Sequence, residues 1–201
     1  MISLVSQIAL SMPQILSRLH YRHFEQMEQL ELRYYGAEFI TPAAEAWRWY
    51  ERYPYTVLVA AEGDKVIGFV NLFPVRKEIF DALQDGTFND HYLTPDGVED
   101  IYKESDDPLY MFLSCILVEP EYRARGITRE LLRAAVAQYE RVSHRCTEVI
   151  TDNVTAEGEA FSRRFGFNKW RDSNHSSVIY RQTWEAFSRC LLQASTLQQQ
   201  G

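Results

Sequence analysis

Of the features that mark several large protein classes, this chain of 201 residues has little. It carries only three cysteines, Cys115, Cys146 and Cys190, an odd number at unpatterned spacing. That argues against a disulfide framework and against a zinc site, and it points to a reducing cytoplasm. No apolar run approaches the roughly 18 residues that span a bilayer, and the apolar start MISLVSQIAL lacks a basic leading region and a cleavage signature, so a soluble protein with no membrane partner is expected. Internal repeats, low-complexity tracts and a Pro/Gly-rich linker are absent, which predicts one compact unit over residues 1–201, frayed only at the polar tail Gln198 to Gly201. Basic residues are scarce as well: 21 Lys and Arg against 28 Asp and Glu leave a net charge of -7, which disfavours a nucleic acid partner and mildly favours a cationic one. The five histidines, His20, His23, His91, His144 and His175, are scattered without a nearby cysteine or third ligand, so no metal site is expected.

The informative stretch runs from Leu109 to Glu140. LYMFLSCILV, Leu109 to Val118, is an apolar run of the kind that forms a strand buried on both faces. Pro120 ends it, and a turn follows with Arg123, Arg125 and Gly126. From there Leu131, Leu132, Ala135, Val136, Tyr139 and Val142 share one face of an amphipathic helix. A glycine turn entering a helix offers free backbone N–H groups and the positive end of the helix dipole, a ready site for a pyrophosphate. Gly126 lets an anion approach the main chain, and the two arginines stay charged at any relevant pH.

Arg123-Ala124-Arg125-Gly126-Ile127-Thr128, set directly after a strand, resembles the hallmark of the GNAT acetyltransferases: Arg or Gln, two residues, Gly, one residue, Gly or Ala. Thr128 departs from the small last residue. Val118-Glu119-Pro120-Glu121-Tyr122 looks like the family's approach to this loop, and FSRRFGF, Phe161 to Phe167, is similar to its second motif. The likeness covers about Tyr55 to Tyr180. It implies an α/β fold with a central mixed, mostly antiparallel twisted sheet flanked by helices, acetyl-CoA as co-substrate, and no metal. It also implies that Arg123, Ala124, Arg125, Gly126, Ile127 and Thr128 hold the pyrophosphate, that backbone N–H groups at Leu117 and Val118 hold the thioester carbonyl, and that Ile116 lines the pantetheine arm.

The rest of the chain fits that order. Helical spacing covers Pro13 to Tyr35, and Thr41-Pro42 reads as the start of a second helix to about Arg52, so residues 1–54 form N-terminal helices. Thr56 to Ala61 and Val66 to Phe73 read as a hairpin about Glu62-Gly63-Asp64-Lys65. Further strands are expected at Thr147 to Thr151, Asn168 to Asp172 and Ser177 to Gln182, with helices at Thr128 to Val142, at Ala156 to Arg164 and from Trp184 into a C-terminal tail, 184–201. Residues 78–107 stand out as a long acidic insertion between the third and fourth strands of the family pattern, with ten carboxylates against the single Lys103. The segment reads either as a solvated helical excursion or as a lid over the acceptor, with Asp90 and Glu99 orienting an ammonium group.

The activity implied is transfer of an acetyl group from acetyl-CoA to a primary amine of a small molecule or peptide by direct attack in a ternary complex. Such transfer needs a neutral nucleophile, an oxyanion donor and a proton source for the thiolate. The family's frequent acid, a tyrosine four residues before the Gly of Gly-Phe, is replaced by Ser162, with Tyr180 or water as substitutes. Glu119, Asp152 and His175 are the candidates for a base, since the family's glutamate position falls near Phe112. The missing tyrosine also fits a non-catalytic acyl-CoA-binding module, and a longer donor such as succinyl-CoA stays open. The cluster Trp47, Trp49, Tyr50, Tyr53 and Tyr55 reads as the lining of a pocket for an apolar acceptor, as helical core or as a self-association surface, the last compatible with a homodimer.

Overall fold

The computed structural model describes residues 12–36 and 40–193, so the expectations for MISLVSQIAL and for Gln198 to Gly201 lie outside the described residues. A seven-stranded sheet in the order β1-β2-β3-β4-β5-β7-β6 forms the centre, built from β1 (Gln14–Ile15), β2 (Val57–Glu62), β3 (Lys65–Val75), β4 (Leu109–Val118), β5 (Cys146–Asn153), β6 (Asn168–Asp172) and β7 (Val178–Thr183). All pairings are antiparallel except β4 with β5. The helices are α1 (Tyr21–Leu32), α2 (Ala43–Arg52), α3 (Lys77–Gln84), α4 (Pro120–Arg123), α5 (Ile127–Gln138), α6 (Ala156–Arg164) and α7 (Trp184–Gln193). Among the described residues, no helix is long and apolar enough to cross a membrane.

The helix expected over Pro13 to Tyr35 is corrected at its start. Gln14 and Ile15 pair with Ala61 and Ala60 as an edge strand, and α1 begins only at Tyr21. Two residues are too few to show a period, and the pairing comes from β2, not from local propensity. Thr41 does not cap α2; Pro42 holds the N-cap, and the carboxylate of Glu28 on α1 accepts the Ala43 N–H at 3.2 Å. An orphan donor is thus satisfied from another helix. The β2–β3 hairpin turns at Gly63, whose φ of 62° suits the first position of a tight hairpin turn.

Alternate residues of the strands feed two cores. Ala60, Val70 and Val118 join α5 and α7 in the larger one, whereas Val59, Phe69 and Leu117 join Phe24, Met27 and Leu30 of α1 in the smaller one. Period-two alternation puts these sets on opposite faces of the sheet. Residues 78–107 are not a solvated excursion: Phe80 and Leu83 of α3, then Leu93, Val98 and Ile101, are buried, and Phe80 packs on Tyr110 at 4.9 Å between rings.

Two irregularities in β4 position the site. Leu72 pairs with Leu113 but Asn71 with Cys115, so Ser114 is the extra residue of a bulge. Pairing of β4 with β5 covers only Leu109 to Phe112 opposite Cys146 to Ile150. Beyond Phe112 the two parallel strands separate and the sheet opens.

Candidate functional site

That opening is the waist of a cleft of about 1400 Å³. One wall is β4 from Leu113 to Val118; the other is the end of β5, Thr151 to Asn153, with Gly158, Ala160 and Phe161 of α6. The ladder decides which main-chain donors face it. Glu119 N–H donates to Ile67 O at 2.9 Å, so by alternation the Leu117 N–H also faces β3, while those of Ile116 and Val118 face the opening. The expectation for Leu117 is corrected accordingly: it lines the cleft, but its N–H belongs to the ladder.

At one end of the cleft α5 begins. Gly126 is its N-cap, with φ of 83°, and a Cβ built there meets no atom within 4 Å. The cradle is open toward the cleft. Among the described residues the N–H groups of Gly126, Ile127 and Thr128 donate to no carbonyl, as befits the first turn of a helix. Ala124 and Thr128 line the same end, while the Ile127 side chain is buried in the core and contributes only main chain. Arg123 is tied back through Nε to Val118 O at 2.8 Å and lies over the Tyr34 ring. Arg125 stacks on Tyr122 at 4.7 Å and pairs with Glu62 at 3.5 Å. Three more arginines, Arg129, Arg133 and Arg164, line this end and were missed from sequence, although the four-residue steps from Arg125 through Arg129 to Arg133 put them on one helix face. Open donors at a helix N-terminus among arginines fit a pyrophosphate.

The other end is acidic. Glu28, Glu31, Asp90 and Asp152 line it with Tyr35 and Cys115. Burial pushes the Glu31 carboxyl up to about 7, aided by Glu28 and opposed by a backbone bond from Thr41. Burial and the nearby Asp152 charge push Asp90 up to about 6 against the pull of His175 and His91. The Cys115 thiol is raised well above its usual value by burial, then by Glu31 and Asp90. Buried Trp49 Nε1, Asn71 Oδ1 and Asp152 Oδ1 have no hydrogen-bond partner among the described residues, and all three residues line the cleft.

Several expected site residues lie elsewhere. Ser162 is 0% exposed, and its hydroxyl bonds the side-chain amide of Asn153 at 3.0 and 3.2 Å, so it turns into the packing between α6 and β5 and does not line the cleft. Tyr180 is buried as well, donating to Glu159 at 2.8 Å and accepting from Arg163 at 2.9 Å. Glu119 is occupied by Arg33 and by the Tyr34 hydroxyl at 3.0 Å. Of the two acceptor candidates, Asp90 lines the cleft and Glu99 does not. His175 and Asp152, from separate elements, meet at 2.8 Å.

Residues 24–167 match the family described as the Acetyltransferase (GNAT) family. Among curated proteins, none matches significantly. Many solved structures share the fold. The loading GNATL domain of CurA from Lyngbya majuscula superposes with a TM-score of 0.64 at 11% identity, over 87% of this chain and 99% of that one. Naa20 of Chaetomium thermophilum in complex with a bisubstrate analogue gives 0.57 at 17% identity, over 88% and 89%. The PaiA N-acetyltransferase of Thermoplasma acidophilum in complex with coenzyme A gives 0.55 at 15%, over 86% and 99%. The sequence match across most of the chain, with the glycine turn and the opened sheet where they stand, places this protein in the acetyltransferase (GNAT) family.

Proposed function

We propose that the chain is a single N-acetyltransferase domain moving an acetyl group from acetyl-CoA to a primary amine of a small molecule or peptide, by direct attack while both substrates are bound. The observation that carries this is the polarity of the cleft: arginines and open N–H groups outweigh Glu130 at the α5 end, carboxylates gather at the α1 end, and the parted strands lie between. A phosphate-bearing donor and a cationic acceptor are drawn to opposite ends. Arg123, Arg125, Arg129, Arg133 and Arg164, with the N–H groups of Gly126, Ile127 and Thr128, would hold the phosphates. Val118 N–H, with Ile116 N–H, would face the thioester carbonyl.

The acidic insertion, 78–107, supplies a wall of the acceptor end through Asp90 in this reading. Thiol release from acetyl-CoA, measured with thermal stabilisation by CoA across polyamines, amino acids, aminoglycosides and short peptides, tests it. Release with one amine class is the expected outcome. A second reading, a non-catalytic acyl-CoA-binding module, draws on the burial of Ser162, which leaves α6 without a hydroxyl acid at the position where the family often has tyrosine; stabilisation by CoA without release from any amine would favour it.

A further inference from the structure

Asp152 sits at the end of β5, just past the point where β4 leaves it, and its side chain is only 3% exposed. One carboxylate oxygen, Oδ2, is 2.8 Å from His175 Nε2; the other, Oδ1, is buried without a hydrogen-bond partner among the described residues. A buried carboxylate oxygen left unsatisfied is costly, and proteins seldom keep one without a use. The imidazole is not free to do the same work, because its Nδ1 is 2.9 Å from Asn174 Oδ1 and both ring nitrogens are engaged.

The turn carrying His175 is braced. Ser173 Oγ accepts from the N–H groups of His175 and Ser177, each at 3.1 Å, and Asn174 N–H donates to Gly86 O at 2.9 Å. Gly86 is where that turn meets the end of α3, since a Cβ there would come within 3.0 Å of Ser173 Cα. The titratable groups that act on Asp90, in the segment after α3, are Asp152, His175 and His91, and all four residues line the cleft.

We infer that Asp152 Oδ1 is the proton acceptor of the transfer and that His175 is the residue that positions it, an assignment that rests on the amine-acetyltransferase reading above. As the amine lone pair forms the C–N bond, the C–S pair leaves on sulfur and the proton lost by nitrogen passes to Oδ1, directly or through one water. The products are the neutral amide and the CoA thiolate, with the proton held on Asp152 until the thiolate or solvent takes it.

The test is steady-state thiol release by wild type, Asp152→Asn and His175→Gln with the best amine of the panel, beside CoA-dependent thermal stabilisation. Asp152→Asn is expected to lower kcat by about 100-fold or more. It should raise the acceptor KM far less than it lowers kcat and leave stabilisation by CoA intact. His175→Gln should lower kcat by less and leave KM alone. A raised KM with kcat unchanged would overturn the assignment, because Asp152 would then bind a cation and not a proton; so would an unchanged kcat. If Asp152→Asn also loses stabilisation by CoA, Asp152→Glu decides: partial return of kcat supports the assignment, and none overturns it. Wild type that releases no thiol with any amine overturns the amine reading itself, whereas active wild type with an equally active Asp152→Asn overturns this assignment alone.

Discussion

Replacing Glu31 by Gln should stabilise this protein, and by an amount that grows with pH. Glu31 is on α1, lines the cleft and resists ionisation because it is buried, its carboxyl raised from 4.5 to about 7. The unfolded chain ionises it near 4.5, so between that value and 7 the folded state binds the extra proton and stability falls as pH rises. The displacement of about 2.5, at about 1.36 kcal/mol for each pKa unit, sets a ceiling of about 3 kcal/mol reached above pH 7. Glutamine has no proton to lose. Urea unfolding of both proteins from pH 5 to pH 8 should show Glu31→Gln ahead by about 1 kcal/mol at pH 5 and about 3 kcal/mol at pH 8, with all other titrating groups cancelling in the difference. A gap that does not widen with pH, or a variant less stable at pH 8, would refute the reasoning.

Gly126→Asp should abolish stabilisation by CoA, by placing a carboxylate in the cradle, while a non-glycine residue at φ of 83° lowers the apo protein's stability by only about 1–2 kcal/mol; unaltered CoA stabilisation would sink the assignment. Ser162→Ala, which leaves the buried Asn153 amide short of a partner, should cost about 1–3 kcal/mol in urea unfolding and leave kcat unchanged, and a loss of kcat in a fully folded variant would return Ser162 to the chemistry. Asp90→Asn should raise the acceptor KM and leave that for acetyl-CoA alone, whereas Glu99→Gln, outside the cleft, should alter neither. Arg129→Glu with Arg133→Glu should raise the KM for acetyl-CoA and flatten its salt dependence; a normal constant would remove these two arginines from the phosphate end.

The phosphate end was readable from sequence because its chemistry is local: a strand, a turn and a helix within Leu109 to Glu140 carry Arg123, Arg125 and Gly126 at fixed spacing. The family match begins at residue 24, inside α1, where the sequence showed helical spacing and no motif. The acceptor end was less legible because distant elements build it. Nothing in the spacing of Glu31, Asp90, Asp152 and His175 says that α1, the segment after α3, β5 and the β6–β7 turn meet around one cleft. Ser162, Tyr180 and Glu119 stand out in the sequence only by residue type or by place in a motif, and each has its hydrogen bonds taken by a neighbour: Asn153, Glu159 with Arg163, and Arg33 with Tyr34. The β1 strand was invisible for the same reason, since Gln14 and Ile15 are extended only because β2 lies beside them.

The short ladder between β4 and β5 makes the sheet two jaws on a hinge. Only Leu109 to Phe112 zip to Cys146 to Ile150, so β1 to β4 and β5 to β7 are joined at one end and gape at the other. A molecule lodged in the gape touches both jaws and works like a wedge that is also glue. The slow-exchanging amides of β4 and β5 should therefore report on occupancy from a distance: filling the cleft should slow exchange near the hinge, where no ligand atom reaches, as well as beside the ligand.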